Sequence, residues 1–282
     1  MLSVVIPAHN AARWIVEAIA SVKAQSFSPP PDIIVVTSNC TDNTADLARA
    51  AGARVIDSPA PGPAAARNAG VAASSGEFIA FLDADDLWPP NSLASRVSLL
   101  NDKADAAMVF GDCRQFDDID GKYLLRPETL FAESELDAHF FGDTAYMTDP
   151  LDKLLDAGFV TTGAVVMRRH AFDALGGFDE SLQHVEDLDL WLRAAARFPL
   201  LWHPDLALLR RRHDANLSHD TPSMQIAYIR VLTRLAKTLP AGHLTVRIRA
   251  LRQREHRALA RQALTSGHPL RAMKHCWLAV TR

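Results

Sequence analysis

Short unbroken apolar runs, separated by stretches whose apolar residues recur at helical spacing, set the rhythm of the chain from residue 2 to about residue 90. LSVVIP, residues 2–7, is a continuous apolar run ending in proline and reads as a strand buried on both faces. Ile15, Ile19 and Val22 then fall on one face of a helix. DIIVVT (32–37) repeats the strand signature, and TDNTADLARAAG reads as a capped helix that stops at Gly52. ARVIDS is a short third strand, PGPAAARNAGVAASSG a turn and a helix, and EFIAFLD a fourth strand. Strand and helix alternating at this cadence predict βαβ units, hence an α/β fold with a mainly parallel sheet. Ligands of such sheets gather at the carboxyl ends of the strands. The first, second and fourth strands end in PAHN, TSNCTD and DADD, so three polar ends should line one crevice.

The pattern loosens after residue 90. SLASRVSLL reads as a helix and AAMVFGD as a strand, but residues 114–160 alternate acidic and aromatic stretches without a period and read as a long functional loop. VTTGAVVMRR resumes as a strand, EDLDLWLRAAARF is an amphipathic helix, and PLLWHPDLALLRRRH returns as a strand. From about residue 223, Leu244, Ile248, Leu251, Leu259 and Ala263 keep helical spacing and predict two or three helices.

Composition narrows the class. Hydrophobic residues make up 48% of the 282, enough for a sizeable core. No apolar run approaches the ~20 residues of a membrane-spanning helix. MLSVVIPAHN lacks a basic leader and reads as a first core strand, not as a signal peptide. Cys40, Cys113 and Cys276 are odd in number and far apart, which speaks against a disulfide framework or a zinc knuckle and suits a reducing, cytoplasmic setting. Charge is unevenly divided: Pro222 to Arg282 holds twelve Lys and Arg against one acid, Glu255, a formal +11, leaving −14 on the remainder. Such a basic helical segment could dock on anionic lipid at the inner membrane face. It could also cover the acidic body or pair with a second subunit in a homodimer. Nucleic acid is not expected as a partner, because no aromatic residues interleave with the cations.

The chemistry concentrates where the fourth strand ends, at Asp83, Asp85 and Asp86 in FLDADD. Carboxylates at i and i+2 of an extended segment point the same way. A hard divalent cation removes their mutual repulsion, and Mg²⁺ in particular binds one or two carboxylates together with substrate phosphates. Turn formation and helix capping are the plainer reading of the same acids.

Six blocks occur in order: IPAHNAARWI, TDNT, PAAARNAGVAASSGEFIAFLDADD, GGFDESL, VEDLDLWLR and RRHDANLS. With them the chain resembles the family 2 glycosyltransferases, inverting enzymes of the GT-A fold that use nucleotide-diphospho-sugar donors. The likeness covers about residues 2–219. It implies a glycosyltransferase domain over 1–221, with a Rossmann-like nucleotide-binding half and an acceptor half, followed by the helical extension 222–282. On this resemblance Pro7, Ala8, His9 and Asn10 would lie along the nucleoside, and Arg67 would face the nucleotide. Asp83, with Ala84 beside it, would accept from the ribose hydroxyls. Asp85 would ligate Mn²⁺ or Mg²⁺, with His213 as a further ligand. Glu186 and Asp187 match the acidic pair on the acceptor side, and Asp187 would be the general base. Plainer roles stand beside these. Asn10 would cap the next helix, Arg67 would form a surface salt bridge, and Asp86 would be a helix cap. Glu186, Asp187 and Asp189 would be first-turn acids favoured by the helix dipole. Trp191 would shape a sugar pocket or fill the core. Arg210, Arg211 and Arg212 would neutralise leaving-group charge or form a solvated face.

One block departs from the family pattern. Its second strand usually ends in two aspartates followed by Gly-Ser-Thr-Asp, and this chain has Thr37, Ser38, Asn39, Cys40, Thr41 and Asp42. Ser38 can still hydrogen-bond a base, more weakly than a carboxylate would. A UDP-sugar stays the default donor, with guanosine and thymidine diphosphates open and weakened activity a consequence to test. The expected reaction is metal-assisted transfer of the sugar to a hydroxyl of a glycan, lipid or peptide. A non-catalytic sugar-nucleotide binder is the alternative that the altered strand favours. A nucleotidyltransferase would want a glycine-rich loop after the first strand, and PAHNAARW has no glycine.

Overall fold

A computed structural model describes residues 1–119, 121–156, 158–213 and 221–281. The chain divides into two compact units, Met1–Ser181 with Glu186–Ala215 and Leu182–Val185 with Asn216–Arg282. Residues 214–218 of the RRHDANLS block lie outside the described residues.

The first unit begins with the expected alternation: β1 (Leu2–Ala8), α1 (Ile15–Lys23), β2 (Asp32–Thr37), α2 (Thr44–Ala50), β3 (Arg54–Asp57), α3 (Pro63–Ala72) and β4 (Phe78–Phe81). After it come α4 (Ser92–Asp102), β5 (Met108–Ile119), β6 (Lys122–Thr129), α5 (Leu130–Glu133), α6 (Ala138–Phe141) and α7 (Pro150–Leu154). A 3₁₀ turn at Thr162–Ala164 leads into β7 (Val165–Arg168), α8 (Arg169–Leu175), α9 (Glu186–Ala195) and β8 (Leu200–Arg212). The sheet order is β3-β2-β1-β4-β7-β5-β6, with β8 paired to β5. The β1–β2, β2–β3, β1–β4 and β5–β8 pairs are parallel, while β7 runs antiparallel between β4 and β5. A mixed α/β architecture with a mainly parallel sheet is thus what the hydrophobic pattern encodes.

Burial explains why these segments fold as they do. Leu2, Val4, Val5 and Ile6 of β1 are fully buried, as a parallel strand covered on both faces must be. Ile15, Ala18, Ile19 and Val22 form the inner face of α1. Helix α3 lies close on the sheet because of Gly70, where an added Cβ would come within 2.3 Å of Val5 Cγ1 and 3.0 Å of Val36 Cγ2. That approach sets the depth of Arg67, one turn earlier on the same helix.

Residues 114–160 are a correction to the sequence reading. Strand β5 continues to Ile119 and turns back antiparallel into β6, and α5, α6 and α7 follow. The scattered aromatics that blurred the period form a cluster. Phe131, Phe141 and Phe159 are buried around Phe110, with ring centroids 6.3, 5.7 and 5.8 Å from it. Phe131 and Phe141 sit on separate short helices and Phe159 on the irregular segment after α7, so no single helical or strand period could show.

The second unit contains α10 (Thr221–Thr238), α11 (His243–Thr265) and α12 (Pro269–Thr281). Ile248, Leu251 and Leu259 of α11 are buried, at the spacing that predicted the helix. No described helix is long and apolar enough to cross a membrane.

Candidate active site

Three strand ends and one helix start meet at the carboxyl edge of β1, β2 and β4. In the register Ala8 pairs with Thr37, and the chain beyond stays in contact: the Ser38 N–H donates to the Ala8 carbonyl at 2.9 Å, and His9 Nδ1 lies 2.6 Å from the Ser38 carbonyl oxygen. Pro7 stands opposite Val36 in the same ladder. Asn10 has φ 48°, a left-handed conformation that asparagine tolerates. Its Oδ1 accepts from the Thr41 N–H and hydroxyl at 2.8 and 3.2 Å. It therefore ties two strand ends together and does not cap α1, whose N-cap is Trp14. Where the family's second strand places acids, Thr37 donates its hydroxyl to Asp57 Oδ1 at 2.6 Å. A carboxylate does stand at this edge, contributed by β3, where no sequence motif marks it.

The β4 end is organised by β8. Leu87 and Leu209 exchange backbone hydrogen bonds of 3.0 and 2.8 Å, which holds the DADD segment beside Arg211 and His213. His213 Nε2 lies 2.8 Å from Asp85 Oδ2, and the imidazole stacks on Trp14 with ring centroids 4.5 Å apart. The two residues expected to hold a metal are therefore neighbours, although 128 positions separate them. Ala84 between the two acids is buried. Asp86 is not a helix cap, because α4 starts only at Ser92. It is buried, and its Oδ1 accepts from the Arg211 N–H at 2.8 Å. Burial, together with the charges of Asp85 and Asp83, pushes its carboxyl well above the usual range.

Of the three consecutive arginines, Arg211 is committed to the scaffold. Its guanidinium is buried, bonds Glu17 Oε2 at 2.7 Å and Asp118 Oδ2 at 2.5 Å, and donates through Nε to the Asp85 carbonyl at 2.8 Å. Glu17 and Asp118 had no sequence signal, since their role exists only once α1, β5 and β8 are side by side.

Arg67 joins the two halves of the site. Its side chain is 5% exposed, with Nη2 2.8 Å from Asp83 Oδ1 and Nη1 2.8 Å from Glu186 Oε1. A buried bridge therefore replaces the surface salt bridge considered above. Despite burial, which works against the charged form, the charges of Asp83, Glu186 and Asp187 keep the guanidinium firmly protonated. Burial and the neighbouring Asp187 raise the Glu186 carboxyl above its ordinary range, and Arg67 opposes that rise. Asp187 Oδ2 accepts from the Thr162 hydroxyl at 3.0 Å, and Oδ1 from the Leu188 N–H at 2.7 Å. Thr162 is buried in the 3₁₀ turn before β7, a position that drew no notice within TTGAVV. Asp189, the third acid of the turn, pairs with Arg193 one turn on. Trp191 is 1% exposed and packs near Phe178, which makes it a core residue.

This arrangement can bind an oxygen-rich anion beside a carboxylate. Among the described residues, Arg67 Nε and Trp14 Nε1 are buried donors without a hydrogen-bond partner. Asp85 offers the carboxylate that Mn²⁺ or Mg²⁺ favours, with the His213 imidazole beside it. Among the described residues no group of three His, Cys, Asp or Glu is placed to hold a metal, so a cation here would complete its shell with water and ligand oxygens.

Comparison with known proteins bears on the family and the fold. A model of the family described as Glycosyl transferase family 2 matches residues 3–176. An uncharacterised glycosyltransferase of Rickettsia typhi is 28% identical over 225 residues, covering 78% of this chain and 66% of the relative. The chain thus spans just under two thirds of that relative's length. Among solved structures, Staphylococcus aureus TarS 1–349 in complex with UDP-GlcNAc aligns with a TM-score of 0.71 at 15% identity, over 99% of this chain and 79% of that one. The mannosyltransferase PcManGT of Pyrobaculum calidifontis, in complex with GDP-Man and Mn²⁺, aligns with a TM-score of 0.67 at 18% identity, over 97% and 73%.

Proposed function

The chain belongs to glycosyl transferase family 2, and from that membership we propose that it moves a sugar, with inversion, from a nucleotide diphosphate to an acceptor hydroxyl. The observation that carries the reading is the Arg67 bridge, which seats the β4 acid Asp83 beside the acidic pair that opens α9. Donor-side and acceptor-side carboxylates then share one site, as a displacement at a single anomeric carbon requires.

Pro7, Ala8, Asn10 and Ser38 line the nucleoside end, and Asp83 accepts from the ribose. Asp85 and His213 would hold Mn²⁺ or Mg²⁺, which when bound neutralises charge on the departing diphosphate. Asp187, oriented by Thr162, takes the proton of the incoming hydroxyl, and Glu186 shapes its field. The donor nucleoside is uridine by default, with guanosine and thymidine open; proteins of this fold include complexes with UDP-GlcNAc and with GDP-Man. Asp57 beside Thr37 supplies an acid to the edge whose usual aspartates are replaced. A cytoplasmic location, a hydroxyl acceptor on a glycan, lipid or peptide, a homodimer and a peripheral contact with an anionic membrane complete the reading.

The test is donor turnover with Mn²⁺ present, resolved by product. Release of free nucleoside diphosphate supports a glycosyltransferase. Pyrophosphate released from a nucleoside triphosphate and a sugar 1-phosphate, with no turnover of the nucleotide sugar, would make the protein a nucleotidyltransferase, and donor binding without turnover would make it a binder.

A further inference from the structure

Helix α12 carries an apolar face that the fold leaves in solvent. Leu270, Met273, Trp277 and Val280 are 81, 68, 61 and 81% exposed, and their spacing of three, four and three residues places them along one stripe. The opposite side of the same helix is its packing face, where Ala272 and Ala279 are buried. Small residues therefore point inward and large apolar ones outward, the reverse of a helix that serves only its own core. Lys274 and Arg271 are exposed beside the stripe. In α11, Arg249, Arg254, Arg257 and Arg261 are exposed as well, and Leu264 in its last turn is 59% exposed. The one acid of these two helices, Glu255, is buried and bonded to Gln225 and Arg254. Every exposed charged side chain on the described parts of α11 and α12 is therefore cationic.

We infer that α12 is a membrane-docking helix that lays this stripe into the interface of an anionic bilayer. An apolar stripe flanked by Lys and Arg, with tryptophan in it, matches an interfacial helix, because the rings and aliphatic chains enter the acyl boundary while the cations reach phosphate. Charge decides the occupant. Two copies meeting through this face would oppose cation to cation with no carboxylate between them. A lipid headgroup surface supplies a continuous sheet of anions. The contact deepens the peripheral association in the proposed function, yet it stands on the surface of α12 alone.

Flotation of the full chain with vesicles tests it, comparing phosphatidylcholine with an equal mixture of phosphatidylcholine and phosphatidylglycerol. Binding is expected to the mixed vesicles, weakened by added salt and weak on neutral ones. The triple variant Leu270→Ser, Met273→Ser, Val280→Ser removes outward side chains and should keep the parent's circular dichroism and its donor turnover in solution. Its partition onto mixed vesicles should fall at least about tenfold, the factor that ~1.4 kcal/mol of lost insertion represents. Arg271→Glu with Lys274→Glu should abolish the preference for the anionic lipid. Equal partition of parent and triple variant would overturn the inference, as would a parent that ignores mixed vesicles. So would a parent dimer in light scattering that the triple variant converts to monomer. Failure of lipid binding with turnover intact would leave the transferase reading standing, and the converse result would leave the docking helix standing.

Discussion

Replacing Arg67 by methionine keeps most of the side-chain volume and removes the charge that joins β4 to α9. The two acids it leaves behind differ. Asp83 is 40% exposed and can rehydrate, whereas the Glu186 side chain is only 10% exposed and cannot. Breaking a buried pair from one side destabilises by about 3–5 kcal/mol. With one of the two partners able to recover its water, the loss near pH 7 should fall at the lower end, about 3 kcal/mol. The loss should also depend on pH. Burial and Asp187 already raise the Glu186 carboxyl while Arg67 restrains it, so the variant raises it further. A carboxyl raised on folding is stabilising below its unfolded value, and that advantage is lost as pH climbs through the folded one. The deficit should therefore shrink toward about pH 5, by no more than ~1.4 kcal/mol per pH unit. Urea unfolding of parent and Arg67→Met at several pH values measures this. Adding Glu186→Gln should return ~1–3 kcal/mol to the variant as a coupling energy. A loss under about 1 kcal/mol, insensitive to pH and to Glu186→Gln, is the behaviour of an exposed pair and would refute the bridge.

Three further outcomes follow from the same geometry. Asp86→Asn keeps an acceptor for the Arg211 N–H but abolishes a charge that burial and two neighbouring aspartates disfavour. Its melting temperature should exceed the parent's above the raised Asp86 value, by about 1 kcal/mol in stability, and a lower one would contradict the assignment. Thr162→Val frees Asp187 Oδ2 and should lower kcat about tenfold with donor KM unchanged, the effect of ~1.4 kcal/mol at the transition state. An unchanged kcat would show that Thr162 does not orient the acid. His213→Ala should weaken Mn²⁺-dependent donor binding, read by calorimetry, while metal-free binding stays at the parent level; equal losses in both would remove His213 from the metal.

How far the sequence foretold this depends on how local each feature is. β1, β2 and β4 were legible because each buries a contiguous apolar run, and α1 and α11 because their inner residues repeat at helical spacing. The β5–β6 hairpin was not, since Leu124 and Leu125 are exposed and the buried aromatics beyond it serve different short elements. Site acids could be nominated from their blocks, but their pairings could not. Arg67 meets Glu186 across 119 positions and Asp85 meets His213 across 128, distances that only the sheet order closes. Asp86 misled for a related reason. An acid after a strand suggests a cap, and its actual partner is a backbone N–H on β8. Thr162 and Asp57 carry no sequence signal, because neither a hydroxyl nor a lone carboxylate stands out until a neighbouring element supplies its partner.

In the proposed mechanism one acid opening α9 activates the acceptor at a donor held by the β4 edge. Asp187→Asn, assayed for Mn²⁺-supported donor binding and for sugar transfer side by side, tests it most directly. Donor affinity should stay near the parent's while transfer falls by about 10²–10⁴, the range that a positioned general base contributes. Transfer at the parent rate by the variant would place the base elsewhere and remove Asp187 from that role.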